Sequence, residues 1–405
     1  MTWFVPGRLE VLGKHTDYAG GRSLLAAVDR GITVTAQLGT MSIVARSNAT
    51  DDPVTLRAGL DPQLPRGHWG HYLQTVIDRL TTNFGPLAPA RLSVESTLPL
   101  ASGLSSSSAL IVAVALALAD ANDLPETAAW QDTIADRRDL AGYLACIENG
   151  ETFKQLIGQR GVGTFGGSED HTGMLCCRSG GLTQFSFCPI LEERSVPFPE
   201  GYVFVIAVSG VAAEKTGAAR ELYNRAAGAT RELVTRWNRV ADTPVAALAD
   251  IVNAESGDVD HGQLARLREL AADEPGLQRR LHQFVAESTR IVPAAGDALA
   301  AGDLEAFGVL VDESQRLAED ELGNQIDQTH FLVSCARERG AVAASAFGAG
   351  FGGSVWGLLP EPDADAFAAA WLSQYTTAFP EHADAARTFV TRPARPAHRV
   401  PEATD

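Results

Sequence analysis

Two hydrophobic periods divide this chain into strand-like and helix-like stretches. Val5–Leu12 and Ile32–Leu38 have period-2 or β-branched character and predict strands. Met41–Arg46 and Val54–Leu60 predict a further hairpin, and Arg91–Leu98, with Leu92, Val94 and Ser96 alternating, predicts another strand. From His68 to Leu80 the period changes: Trp69, Tyr72, Leu73, Val76, Ile77 and Leu80 recur at helical spacing. Trp69 and Tyr72 lie on one face, and spacing alone makes them core aromatics. The apolar run from Ala109 to Ala119 predicts a buried helix, and Leu140–Asn149 predicts another. Strands follow at Leu182–Phe187 and Tyr202–Val208, with Gly201 a natural start for a second domain. Thr216–Trp237 predicts a long helix carrying Tyr223, and residues 246–337 read as helical, with their acidic side chains on a solvated face. After Arg392 the segment PARPAHRVPEATD is rich in proline and reads as a disordered tail.

Composition narrows the picture. A chain of 405 residues exceeds one ordinary core, so two domains are expected. Its 45% hydrophobic and 20% charged content is that of a soluble globular protein. The formal net charge of −17 argues against nucleic acid or an anionic membrane as a partner. It leaves room for ATP, which needs only a local field. Five cysteines (Cys146, Cys176, Cys177, Cys188, Cys335) without a CxxC pair predict reduced thiols in a cytoplasmic protein. The opening MTWFVPGRLEV has no basic region followed by an apolar run, so no signal peptide is expected. The longest apolar run is too short to span a bilayer.

Four glycine-rich stretches carry the candidate chemistry. PGRLEVLGKHTDYAGG, from Pro6 to Gly21, crowds Arg8, Glu10, Lys14, His15 and Asp17 among apolar residues that anchor it to a core. Burying charges without partners costs several kcal/mol each. A site for a small polyhydroxylated substrate explains that pattern better than a solvated loop does. PLASGLSSSSAL, from Pro99 to Leu110, places a Gly/Ser loop before the apolar helix. The free N–H groups and dipole of a helix start suit a phosphate, and four serines exceed what one cap needs. VGTFGGSEDH, from Val162 to His171, presents Glu169, Asp170 and His171 together. A carboxylate there could accept a hydroxyl proton, although by itself the stretch is better explained as an ordinary helix cap. SAFGAGFGGSVW, from Ser345 to Trp356, reads as a glycine loop between an apolar helix and a strand, close to another group.

Together these stretches resemble the galactokinases, within the GHMP small-molecule kinases. The first is similar to the galactokinase signature PGRVNLIGEHTDYNGG, the second to the phosphate loop PxGxGLSSSA, and FGAGFGGS to the third motif TGAGFGGC. GGSEDH falls where the family has GIMDQ, HWGHYLQTVI resembles its WxxYVxGVI helix, and KTGAARELYNRA resembles its helix with SEYNxRR. The resemblance implies an α+β, two-domain GHMP kinase fold. A ribosomal-S5-like N-terminal domain would span residues 1–200 and a ferredoxin-like C-terminal domain 201–392, with an ATP cleft between them and the tail at 393–405. It implies transfer of phosphoryl from Mg-ATP to the anomeric hydroxyl of a sugar. Asp170 matches the base and Arg8 the arginine that stabilises the transferring group. Lys14, His15, Asp17, Gly167 and Tyr223 fall at sugar-binding positions. Gly103, Leu104, Ser105, Ser106, Ser107 and Gly350 match the ATP loops, and Trp69 and Tyr72 the adenine pocket. Ser107 and Glu148 match the Mg²⁺ ligands. A monomer is favoured over an oligomer.

Three departures stand out. Lys14 replaces the glutamate that contacts the sugar's 6-hydroxyl in galactokinases, Glu10 replaces an asparagine, and Phe347 replaces a threonine. A lysine at position 14 would suit the carboxylate of a uronic acid, and galacturonokinases also lack the glutamate. Alternatively Lys14 points to solvent or pairs with Glu10 and the sugar is galactose; the two readings are close, with galactose ahead. A catalytically silent sugar- and ATP-binding sensor is disfavoured by the intact serine loop and by Asp170. HTDY argues against mevalonate- or homoserine-type kinases.

Overall fold

The structure, a computed structural model, describes residues 1–65, 67–99, 103–163, 166–211, 217–253 and 259–401. Parts of several expected features lie outside these residues: 100–102 of the serine loop, 164–165 of the VGTFGGSEDH turn, Thr216, 254–258 and the last four of the tail. Among the described residues no helix is long and apolar enough to cross a membrane.

Strand β1 (Thr2–Leu12) runs antiparallel to β2 (Arg22–Leu38), and the Gly13–Gly21 turn joins them. β3 (Ile43–Ser47) and β4 (Thr50–Leu56) form the expected hairpin, and β5 (Ala90–Ser96) pairs with β2 and, in parallel, with β3. At 17 residues β2 is far longer than its β-branched half predicted. Its first half, RSLLAA, pairs with β6 (Gly181–Ser186), which pairs with β7 (Leu191–Pro197). Both faces of that half are buried, so it shows no alternation to read. Helix α1 (Gly70–Phe84) packs on α2 (Ser106–Ala121), and α2 lies on β1 and β2. An apolar surface on all sides suits α2 to this sandwiched position.

The second sheet has the order β11 (Arg387–Thr391), β8 (Tyr202–Val208), β10 (Ser354–Pro360), β9 (Ala343–Phe347). Alternation along β8 divides its side chains between two cores. Val203, Val205 and Ala207 pack with helices Asp327–Glu338 and Ala364–Ala378. Phe204, Ile206 and Val208 join the cluster that fills the first domain, so the two halves share one continuous apolar interior. The segment 246–337 is mainly helical, as its composition predicts.

Two expectations are corrected. The SAFGAGFGGSVW stretch does not follow a helix: Ser345–Phe347 belong to β9, and the loop turns one antiparallel strand into the next. Residues 393–401 are not a disordered tail. The Ala394 N–H donates to the Ala27 carbonyl (2.8 Å), that of Ala397 to Met174 (2.8 Å), and β12 (His398–Arg399) extends the first sheet beside β1. Prolines are compatible with such an edge, where one side of the strand needs no donors.

Candidate active site

Arg8 stands at the centre of the site. β1 buries it, and helix Glu169–Cys176 lies across β1 so closely that a Cβ at Gly173 would stand 2.8 Å from that of Arg8. Its Nη2 meets Asp170 Oδ1 at 2.6 Å, Nε is 3.5 Å from Glu169 Oε1, and Nη1 donates to the Gly103 carbonyl at 2.8 Å. One side chain thus ties the carboxylate loop to the serine loop. Burial opposes its charge, but Asp170, Glu169 and Glu10 outweigh that and hold the guanidinium above its ordinary pKa.

The serine loop opens α2. Gly103 (φ 75°) and Ser105 (φ 56°) both take left-handed backbone, and Ser105 occupies the cap position without capping by its side chain. The first-turn amides of α2 are therefore left to a ligand. Ser105, Ser106 and Ser107 are half-buried at this end. The serine whose hydroxyl reaches Glu148 is Ser108, one residue beyond the expected Ser107. Fully buried, it lies 2.7 Å from Glu148 Oε2 and 3.2 Å from Asp170 Oδ2, sharing its one proton between them. The chain has a fourth serine in that run, which is the signal that marked the position. His171 Nε2 lies 3.4 Å from the same Glu148 oxygen. Among the described residues no group of three His, Cys, Asp or Glu gathers as a metal cage. One buried carboxylate beside serine hydroxyls is an all-oxygen donor set that fits Mg²⁺, which takes few protein ligands and completes its shell with phosphate and water.

The β9–β10 loop covers the serine loop. A side chain at Gly348 would press on the Gly103 carbonyl, 3.1 Å from its Cβ, and Gly350 packs against Asn324. This loop also reaches His15: the ring Nε2 lies 3.0 Å from the Ala349 carbonyl and Nδ1 lies 2.9 Å from the Tyr18 hydroxyl. Nε2 must donate to the carbonyl, and in the neutral ring Nδ1 then accepts from the Tyr18 hydroxyl. Burial and the Arg280 charge agree, lowering its pKa to about 4.

Asp17 faces the same space. Its Oδ2 accepts the Glu169 N–H at 3.1 Å. Burial raises its pKa, while the Glu169 and Tyr18 amides pull it back. Gly167 runs so close to Oδ2 that any Cβ there would collide with it. Tyr223 completes this side, its ring 5.0 Å from His15 and its hydroxyl against Gly166. Trp69 and Tyr72 lie at the start of α1, partly buried against the first domain's core, as spacing alone predicts.

Three residues invisible to the sequence support this side. Arg280, on helix Pro275–Ala286, donates to the His15 carbonyl at 2.5 Å and to the Tyr18 hydroxyl at 3.3 Å. Gln283 donates to the Lys14 carbonyl at 3.2 Å, and Glu287 accepts the Gly13 N–H at 2.7 Å. Their partners are more than 260 residues away, and no local pattern encodes them. Lys14 itself points away from any hydroxyl-binding role, with Nζ on the hydroxyls of Ser345 (2.7 Å) and Ser314 (3.1 Å). The buried Glu10 carboxyl feels the charges of Arg8 and Lys14, which favour its ionised form against burial. Burial raises the pKa values of both Glu10 and Glu169, and at Glu169 the Glu10 charge adds to the rise.

Known proteins align with this arrangement. Residues 1–38 match the galactokinase galactose-binding signature, 71–150 the GHMP kinases N terminal domain and 297–377 the GHMP kinases C terminal domain. A galactokinase of Roseiflexus sp. (strain RS-1) is 29% identical over 371 residues, covering 89% of this chain and 84% of that protein. One from Haemophilus influenzae (strain PittGG) is 28% identical over 375 residues, covering 90% and 87%. Among solved structures, Lactococcus lactis galactokinase complexed with galactose superposes with a TM-score of 0.79 at 22% identity, covering 98% of this chain and 95% of that one. L. major mevalonate kinase in complex with R-mevalonate reaches a TM-score of 0.57 at 15% identity, covering 97% and 96%.

Proposed function

Because the chain belongs to the galactokinase family of the GHMP kinases, and so is a sugar kinase, we propose that it moves the γ-phosphoryl group of ATP onto the anomeric hydroxyl of galactose. The observation that carries this reading is the single guanidinium of Arg8, held between Asp170 at 2.6 Å and the serine loop at Gly103. A base on one side and a phosphate cradle on the other leave the reacting atoms to meet at Arg8.

The sugar binds against Asp17, whose carboxylate can accept two hydroxyl protons, with neutral His15, the Gly167 backbone and Tyr223 around it. Its 1-hydroxyl faces Asp170. ATP lays its phosphates on Gly103–Ser107 at the start of α2, with Leu104 and Gly350 backing the loops and Trp69 and Tyr72 toward the base. The hydroxyl oxygen forms a bond to the γ-phosphorus as the bond to the β-phosphate oxygen breaks. Asp170 takes the hydroxyl proton, and ADP leaves. Most of the rate comes from alignment and from charge stabilisation by Arg8 and the helix N-terminus. Glu148 with the Ser107 and Ser108 hydroxyls would hold Mg²⁺, which neutralises phosphate charge.

For the carbon-6 substituent, the inward course of the Lys14 ammonium supports a neutral hydroxymethyl group over a uronic carboxylate. ADP release measured across hexoses and uronic acids tests the reading. Galactose is expected to turn over faster than galacturonate, and Asp170→Asn to lose activity by a factor of about 10²–10⁴. Faster turnover of galacturonate, or an undiminished Asp170→Asn enzyme, would contradict it.

A further inference from the structure

Lys14 is 1% exposed and Glu287 fully buried, although neither takes part in the reaction described above. A buried ammonium and a buried carboxylate persist only when other groups satisfy them. Here they satisfy each other through hydroxyls. Lys14 Nζ donates to Ser314 Oγ, and the Ser314 hydroxyl donates onward to Glu287 Oε1 at 2.9 Å. Lys14 also donates to Ser345 on β9, whose hydroxyl donates to Gln315 Oε1 at 3.0 Å; the same oxygen accepts the Ala346 N–H at 3.0 Å. Glu287 closes the circuit by accepting the Gly13 N–H.

Three consecutive residues of the sugar-binding turn, Gly13 to His15, are thereby fastened to elements from the other half of the chain. Side chain and backbone are both engaged: the amide of Gly13 by Glu287, the carbonyl of Lys14 by Gln283, that of His15 by Arg280, and the ammonium by two serines. His15 and Asp17 follow at once in the sequence, so the strut fixes the groups that face the sugar. The ammonium has spent two of its three donors on this work and is almost fully buried.

We propose that Lys14 and Glu287 are positioning residues: a hydroxyl-bridged ion pair that clamps the sugar-binding turn to the second domain, and not a reader of carbon 6. The charge reversal at position 14 is then compensated within the protein, by Glu287, rather than by a charged substrate. This rests on the sugar-kinase reading for its kinetic consequences, while its structural content does not.

The experiment is a double-mutant cycle of Lys14→Met and Glu287→Gln, with thermal unfolding measured on ligand-free protein and kinetics measured with galactose and galacturonate. Each single variant is expected to lower the unfolding midpoint by about 5 °C or more, and the double variant by clearly less than the sum. The galactose KM should rise about tenfold, with kcat falling less than KM rises and the ratio of galactose to galacturonate kcat/KM unchanged. Ser345→Ala, which removes one acceptor and spares both charges, should show the same pattern more weakly if the charged variants fail to fold. Additive midpoint losses, or a sugar preference that moves with Lys14→Met, would overturn the proposal. Failure of the parent enzyme to phosphorylate any hexose would sink the kinase reading alone, since the midpoints still judge the clamp.

Discussion

Around Arg8 the chain buries more carboxyls than cations, and protons must make up part of the difference. Burial pushes both Glu10 and Glu169 up from the ordinary glutamate value of 4.5. An acid whose pKa is raised on folding contributes stability that is complete below its unfolded value and is lost as pH rises through its folded value. Glu169→Gln, a neutral mimic of the protonated acid, should therefore gain stability relative to the parent as pH rises from about 5 to 8. Unfolding midpoints of both proteins across that range check it, and a pH-independent difference would show that Glu169 carries no raised pKa. His15, with its pKa lowered to about 4, acts in the opposite direction as pH rises toward its ordinary value and is common to both proteins, so it cancels in the comparison. At this scale the sequence displayed Arg8, His15, Asp17 and Asp170 because glycines and charges cluster around them. Ser108 was half-visible, as the last of four serines. Arg280 and Glu287 were not legible, since each looks like one more charged residue on an acidic helical segment.

Elements were legible where one face is wet. β5, α1 and the β3–β4 hairpin alternate and match their expected positions within a few residues. The first half of β2 is buried on both faces, and β9 hides in a run of alanines beside the glycine loop. The C-terminal strand escaped because its prolines and charges describe an edge as well as they describe a coil. β12 supports β1, the strand that carries Arg8, through the Val400 N–H to the Thr2 carbonyl at 2.8 Å and the buried Ala397. Deleting residues 393–405 should lower the unfolding midpoint by roughly 4–8 °C, the equivalent of about 2 kcal/mol in a domain of this size. Calorimetry on the truncated chain measures it, and an unchanged midpoint would mean that β12 adds nothing to the sheet.

On the scale of the whole molecule, two sheets share one interior, and the groups proposed to react line the seam between them. The serine loop, the carboxylate loop and the sugar-binding turn come from the first domain, while the β9–β10 loop and the clamp on Lys14 come from the second. The order of glycine-rich motifs made this division legible before any coordinates, and the family's fold follows from it. Which long-range contacts lock the seam was not legible, because contacts across 260–330 residues leave no local period. Phosphorus NMR of the product formed from ATP and galactose probes the chemistry at this seam. One sugar phosphate per ADP is expected, with the phosphorus coupled to the anomeric proton. A phosphate on carbon 6, or ADP formed with no sugar phosphate, would contradict phosphoryl transfer at Asp170 and Arg8.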